Sequence, residues 1–521
     1  MKTKAAMKQL HHLSFFLLFF LSGVSSLAQQ DATKLGDYFE QARQEWNIPG
    51  MAVGIIKDGE VVLSKGFGTL EEGKSKKVDA NTLFAIASNT KAFISAAIGI
   101  LVDEGKLKWD DPVRKYLPEF ALYDEYVSNH ISVRDLLCHR AGLGTFSGDV
   151  IWYKRDLTPG ELIQNHIPNV PQAYEFRAGY GYSNLMFITA GEVIKAVSGK
   201  PWNEFVRDRI FMPLEMSRTI TSVDELKKLG NYATPHKNSG SENKPIPYVN
   251  WDNMGAAGGI LSSVNDMLQW MQLQLDEGIH ASDTLFSSQV QSDFWQPHNS
   301  FKVSKSARKT YGKRNFSAYG LGWSIYDYHG RTVYSHGGGY DGMYSKVAIV
   351  PEENIGFIIL TNNMTGILNP MLFHSLDQLL GTAEKDFDWS EWGLKREKRW
   401  NAYKANRIQE RMDKRIEGTS TSLSPEKYAG LYRCQMFGDI EVKFNNNQLE
   451  LHFSDGPLLE ATLSHWHYDT FRINWKNTHA WFDFGTVQFI FDNNRNITEL
   501  KFDVPNDDIF YHEIKAEKVK G

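Results

Sequence analysis

"FAIASNTKAF", residues 84–93, sets Ser88 three positions before Lys91 inside an apolar run. From Ser88 to Glu104 there is no proline and a single glycine, Gly99, before Gly105 closes the stretch. Ala92, Phe93, Ile94, Ala96, Ala97, Ile98, Ile100 and Leu101 occupy nearly every helical face, and a helix apolar all round is buried at the centre of its domain. On that helix, position i+3 places Lys91 over Ser88 on the same face. A serine hydroxyl is a poor nucleophile until something removes its proton. Lysine can do so only when neutral, and burial lowers its pKa from about 10.4 by penalising the ammonium. The plainer alternative is that Ser88 only starts the helix, since serine is a favoured N-cap. The same S-x-x-K spacing recurs at Ser241–Lys244, Ser306–Lys309 and Ser424–Lys427. Those copies lie in polar, loop-like stretches or beside Pro425, and none offers a buried helix.

Strands flank this helix in the sequence. "GMAVGIIKDGEVVLSKGFGTL" has two apolar runs around Asp58-Gly59, a two-residue hairpin signal, and predicts strands at 51–57 and 60–67. "VRDLLCHRAGLG", "LMFITAGEVIKAVSGK" and "VNDMLQWMQLQLDEG" read as helices stopping at Gly142, Gly199 and Gly278. "RTVYSHGGGYDGMYSKVAIVPEENIGFIILTNN" reads as three strands, the apolar Phe357–Leu360 run marking a central one. Strands at both ends with helices between them suit an α+β domain with one antiparallel sheet. Residues 384–423 turn charged and helix-prone, then "TSTSLSP" follows as a linker. No heptad holds long enough for a coiled coil. From Tyr428 about eight short alternating strands predict a small β-barrel or sandwich.

A chain of 521 residues implies two or more domains. The expected division is a leader at 1–28, an α+β domain at 29–383, a charged helical linker at 384–423 and an all-β barrel-like domain at 424–521. The leader pattern is Lys2, Lys4 and Lys8, then a short apolar block from Leu13, then Ser26-Leu27-Ala28. It predicts a signal peptide cleaved after Ala28 and a periplasmic or secreted protein with no membrane span after removal. An N-terminal anchor helix is the alternative, and no cysteine follows the block to carry a lipid. Removing residues 1–28 takes three lysines and no acid, shifting the net charge from −5 to −8. Either value argues against nucleic acid as a partner. Cys138 and Cys434 form no framework or zinc spacing and read as buried or partly buried thiols. His465 and His467, two apart, could face a metal, but a solvated strand face is the simpler reading. Nothing in the sequence calls for a metal or an organic cofactor.

Two further stretches carry chemistry. "AGYGYSNLMF" supplies Tyr182 and Asn184 between a glycine-rich turn and a helix; "SHGGGYDG" supplies His336 and Gly337 to Gly339. A tyrosine can relay a proton to a leaving group. An asparagine amide can hold a substrate carbonyl or the lysine. Glycines let a substrate lie against backbone and an N–H point at a developing oxyanion. Each alone is weak: Y-x-N recurs at Tyr248–Asn250.

Taken in order, S-x-x-K, Y-x-N and H-G-G resemble the serine β-lactamase and penicillin-binding-protein superfamily in its class C-like branch. The resemblance spans most of residues 35–380 and includes "IPGMAVGIIKDGEVV", "LLCHRAGL", "AAGGILSSVNDMLQW" and "SHGGGYDG". It implies an antiparallel sheet flanked by helices, an all-helical lobe, and a site between them. It implies Ser88 as acylated nucleophile, Lys91 as its base partner and Tyr182 as proton shuttle. Asn184, His336, Gly338 and Gly339 would bind substrate, with the N–H groups of Ser88 and Gly339 forming the oxyanion hole. The His139 segment looks structural by the same resemblance. The C-terminal part resembles lipocalin-like domains appended to some of these hydrolases.

Two departures stand out, the first costing turn rigidity rather than chemistry and the second bearing on substrate. Ala178-Gly179 stands where members often carry Pro-Gly. His336 stands where many carry lysine, and a histidine with pKa near 6.5 is mostly neutral at pH 7. That favours the D-aminopeptidase and esterase members over efficient β-lactam hydrolysis. The expected substrate is a small peptide, amide or ester, cell-wall peptides among the candidates. A D,D-carboxypeptidase, a true β-lactamase, a non-catalytic cell-wall-peptide binder and a ligand-carrying β-domain are the competing readings. The sequence does not fix the oligomeric state.

Overall fold

The computed structural model describes residues 32–239 and 242–520. The leader expected at 1–28 and the serine of the Ser241–Lys244 pair lie outside these residues. Among the described residues, no helix is long and apolar enough to cross a membrane.

The first body is built on an eight-stranded antiparallel sheet. Its strands are β1 (Gly50–Lys57), β2 (Glu60–Gly68), β3 (Asn299–Ser300), β4 (Ser317–Tyr319), β5 (Ser324–Tyr328), β6 (Arg331–Tyr340), β7 (Met343–Val350) and β8 (Ile355–Thr361). They run in the order β2-β1-β8-β7-β6-β5-β4-β3. The Asp58-Gly59 turn has positive φ at both residues, as a twisted two-residue hairpin requires. β8 sits between β1 and β7 and is buried along its whole length, so its apolar run has no polar alternation. One sheet face packs on the helix over residues 32–45 and on the helix Leu368–Leu380, through Phe39, Ile55, Ile359 and Leu372. The other carries the helical lobe. There Val264–Leu275 crosses β1, and Gly54 lets it approach: a Cβ would stand 2.6 Å from Val264.

The helix that follows Ser88 is Thr90–Asp103, buried at twelve of its fourteen residues. Ser88 itself sits one step earlier, in a 3₁₀ turn over Ala87–Asn89. Asn89 is the N-cap and makes no side-chain cap bond, so Ser88 does not serve as the helix cap. The helix Asn184–Ser198 stops at Gly199 with a left-handed C-cap, as its sequence predicts. The helix expected to reach Gly142 instead spans Val133–Leu137. It breaks because His139 takes φ +60°, with its ring buried against the cleft.

Trp389–Asp413 is the charged helix, with Trp389, Ser390 and Gly393 buried at its start. Its far end reaches the second body: Arg407 pairs with Asp507 and Arg411 with Asp503, each at 2.7 Å. That body is a closed antiparallel barrel of eight strands, from Gly430–Cys434 to Ala516–Lys518. Tyr428, Phe471 and Phe489 meet edge to face in its interior, and Phe453 meets Tyr511 the same way. Side chains therefore fill it, as expected of an eight-stranded barrel. A β-bulge separates His465 from His467, and each ring bonds to a different backbone segment. Cys138 and Cys434 are buried and unpaired.

The barrel is seated on the helical lobe. Glu513 accepts from Ser147 Oγ at 2.6 Å and from the Gly148 N–H at 2.8 Å. His166 Nδ1 donates to the Met436 carbonyl at 2.8 Å, and Lys154 Nζ to the Thr478 carbonyl at 3.1 Å. These contacts flank Asp149 in sequence, and Asp149 reaches the cleft.

Candidate active site

Ala87 has φ +47°, uncommon for a residue with a Cβ, and the turn it begins presents Ser88 at the cleft while its neighbours stay buried. β6 and β7 hold this turn. Ser345 Oγ donates to the Ile86 carbonyl at 2.7 Å and accepts from Asn89 Nδ2 at 2.8 Å. Gly338 permits the close approach: a Cβ there would meet the Ile86 oxygen at 2.1 Å.

Lys91 is fully buried, and its Nζ has three acceptors: Ser88 Oγ at 3.1 Å, Asn184 Oδ1 at 2.7 Å and the Ala257 carbonyl at 2.8 Å. The Tyr182 and Phe187 rings lie 4.8 and 5.2 Å away. Burial pushes the amine down to about 7, against the Asp149 carboxylate, which raises it. Asn184 gives its Nδ2 to Asp149 Oδ2 at 2.7 Å, so its amide spans Lys91 and Asp149. The structure thus realises the lysine-holding role of this asparagine, while its side chain still lines the cleft. Burial raises Asp149 to about 7, against the nearby Trp152 indole and the hydrogen bond from Asn184.

Burial also pushes the Tyr182 phenol well above its ordinary value, with the Ser88 hydroxyl opposing. Lys91 and Tyr182 both face the Ser88 hydroxyl, and burial moves their pKa values in opposite directions. Near neutral pH a substantial fraction of Lys91 is free amine, whereas Tyr182 is a phenol. His336 lies 2.9 Å from Tyr319 Oη through Nε2 and 2.6 Å from the Gly337 carbonyl through Nδ1. Burial, then Lys91, pushes it down to about 3, so the ring is neutral.

Ser88, Tyr182, Asn184, His336, Gly338 and Gly339 line one cleft of about 410 Å³, with Lys91 beneath Ser88. Of the other S-x-x-K copies, Ser306 and Lys309 lie outside the cleft, exposed on the short helix Lys305–Thr310, a helix where the sequence suggests a loop. The second Y-x-N is spent on structure, Tyr248 donating to the Ala233 carbonyl at 2.7 Å.

With this geometry in view, comparison with known proteins is direct. Residues 35–370 match the family described as Beta-lactamase. The chain belongs to this family. Its members are serine hydrolases of the β-lactamase and penicillin-binding-protein type. The chain is 30% identical to unguisins hydrolase of Aspergillus campestris over 68% of this chain and 66% of that protein. It is 25% identical to penicillin-binding protein 4 of Amycolatopsis lactamdurans over 66% of this chain and 88% of that one. The fold matches the octameric penicillin-binding-protein homologue from Pyrococcus abyssi with a TM-score of 0.60, at 21% identity, covering 93% of this chain and 99% of that chain. Residues 414–518 match a domain of unknown function (DUF3471).

In this beta-lactamase-family chain, several cleft residues escape sequence reading. Asp149 sits in "GDVIWYK", which carries no motif. Lys346 on β7 pairs in register with Gly337 and lines the cleft; burial, then Arg314, lowers it to about 8. Trp481, Asp508 and Ile509 come from the barrel. Trp481 stands 3.3 Å from where a Cβ on Gly339 would lie. Asp508 is pushed up to about 7 by burial and by Asp507, and its carboxylate accepts no hydrogen bond from the described residues.

Proposed function

We propose that the chain hydrolyses amide, peptide or ester substrates through an acyl-enzyme on Ser88. The observation that carries this reading is the buried Lys91 amine 3.1 Å from Ser88 Oγ. The neutral amine takes the serine proton as Oγ attacks the carbonyl. The N–H groups of Ser88 and Gly339 hold the oxyanion. Tyr182 gives its proton to the leaving group and recovers it from the Lys91 ammonium. Water then releases the acyl group by the same steps in reverse. Peptidase or esterase action ranks above β-lactam hydrolysis, because the neutral His336 supplies no charge for a substrate carboxylate.

Intact mass after exposure to an activated ester and, separately, a penicillin tests this, with Ser88→Ala as control. An ester adduct or turnover that Ser88→Ala loses supports the proposal. Penicillin acylation that persists would move the reading to a D,D-carboxypeptidase or penicillin-binding protein, and rapid penicillin hydrolysis to a β-lactamase. No serine-dependent reaction with either probe or with a panel of D-amino-acid peptides would favour a non-catalytic binder.

The pH profile follows from Lys91. For an activated ester, kcat/KM should rise with pH through about 7 and then level, because the ammonium cannot accept a proton. Asp149→Asn removes the charge that holds Lys91 up, so this acid limb should move to lower pH. A limb that moves upward would count against Lys91 as the base.

The barrel's part in the cleft gives the proposal a selectivity arm. Asp508, ionised above about 7 with Lys404 as the cation acting on it, offers a carboxylate free of hydrogen bonds from the described residues to a cationic group such as a peptide amine. A charge-assisted hydrogen bond is worth about 1.5–3 kcal/mol, so Asp508→Asn should cost roughly tenfold or more in kcat/KM for a free-amine peptide amide relative to its N-acetyl form. Trp481→Ala should broaden acceptance of bulky acyl groups. Equal losses on both amine forms would assign Asp508 to structure instead.

A further inference from the structure

His139 follows directly on Cys138, in a segment that the resemblance treats as structural. Its ring is fully buried and lies 4.3 Å from the ring of Tyr182. We infer that His139, Tyr319 and His336 form a tie of fixed hydrogen-bond polarity across the cleft. It joins the Tyr182 turn to the His336–Gly339 strand and positions Tyr182 only while both imidazoles are neutral.

Four contacts compose the tie. The Ser183 N–H donates to His139 Nδ1 at 3.1 Å, and His139 Nε2 lies 3.2 Å from Tyr319 Oη. Tyr319 Oη lies 2.9 Å from His336 Nε2, and His336 Nδ1 lies 2.6 Å from the Gly337 carbonyl. Backbone fixes the direction at both ends. An N–H can only donate, so His139 Nδ1 is bare and its proton sits on Nε2. A carbonyl can only accept, so His336 carries its proton on Nδ1 and Nε2 is bare. The single Tyr319 hydrogen then goes to His336, and its oxygen accepts from His139. All four bonds form with one assignment, and the two rings hold opposite tautomers.

Protonating either ring breaks the assignment. A second proton on His139 would face the Ser183 N–H, donor against donor. One on His336 would leave the buried Tyr319 hydrogen without an acceptor. The charged groups acting on the rings oppose protonation too: Lys91 from the central helix on both, and Lys346 from β7 on His336. The other titratable groups facing them are the phenols of Tyr180, Tyr182 and Tyr319 and the two imidazoles themselves. Ser183 lies between Tyr182 and Asn184, so the tie holds the turn that presents both. The left-handed backbone of His139 aims its ring there and would suit asparagine better than alanine.

The kinetic arm of the test rests on the Ser88 hydrolase reading; the spectroscopic arm does not. Imidazole nitrogen NMR of the full chain, assigned with His139→Asn and His336→Asn, should show the Nε2–H tautomer for His139 and Nδ1–H for His336. Neither ring should titrate between about pH 5 and 8. Tyr319→Phe keeps the ring but removes both central bonds. It should lower kcat on an activated ester roughly tenfold with little change in KM, and add a second ionisation on the acid side. His139→Asn keeps an acceptor for the Ser183 N–H and should retain more kcat than His139→Ala. One shared tautomer, or titration of either ring within that range in the unaltered chain, would overturn the inference, as would a Tyr319→Phe enzyme with unaltered kcat and pH profile. If no variant or unaltered chain turns over ester, the NMR result alone decides it.

Discussion

Ser88→Ala is expected to lower kcat/KM on an activated ester by at least about 10⁴-fold, the scale lost when an acyl-transfer nucleophile is removed. The loss should be chemical rather than structural. Ser88 Oγ accepts from Lys91, but Lys91 keeps Asn184 and the Ala257 carbonyl as partners. The turn itself is held by Ser345 and Asn89, which the substitution does not touch. Its Tm should therefore stay within a few degrees of the unaltered chain's, and scanning calorimetry beside the kinetics checks both. Retained turnover in a well-folded Ser88→Ala enzyme would place the nucleophile elsewhere.

Lys91→Met is expected to cost about 10³–10⁴-fold, near the upper end of what a general base contributes. Methionine fits the apolar walls but leaves Asn184 Oδ1 and the Ala257 carbonyl without their donor. A buried acceptor so orphaned costs about 1–3 kcal/mol, so some stability should go with the activity. Lys91→Arg separates a base from a mere cation. Guanidinium keeps a positive charge but cannot become a neutral base at working pH. Equal loss in both variants supports proton abstraction by Lys91. An arginine enzyme within about tenfold of the unaltered chain would make the charge, and not the free amine, the working feature.

The fold was legible where one local signal sufficed. The Asp58-Gly59 hairpin, the apolar β8 run and the alternating strands after Tyr428 each carry a period or turn residue that the structure reproduces. The helix after Leu137 was misread because the sequence gives no sign that His139 must turn left-handed to place its ring. Ser306–Lys309 was misread in the other direction, a short polar helix having no apolar period to betray it.

The cleft side chains divide in the same way. Ser88 and Lys91 are neighbours on one turn, so their spacing alone brings them together, and the apolar company of Lys91 already implies a lowered pKa. Tyr182, Asn184, His336, Gly338 and Gly339 were found by their order along the chain, and the structure gathers them with Ser88 at one cleft. Asp149, Lys346, Trp481 and Asp508 left no trace, because each reaches the cleft from a separate element, and neither did Tyr319, which is buried against His336. Sequence by itself determined the Ser88–Lys91 pair, the sheet hairpin and the alternating strands of the barrel, all consequences of contacts a few residues apart, whereas closure of the barrel pairs Tyr432 with Lys518. Tertiary structure decided which way Asn184 faces, that His336 is a neutral link to Tyr319, and that the barrel lends Trp481 and Asp508 to the cleft. Those outcomes depend on burial and on hydrogen bonds between residues as far apart as Ser147 and Glu513, distances over which a linear pattern carries no signal.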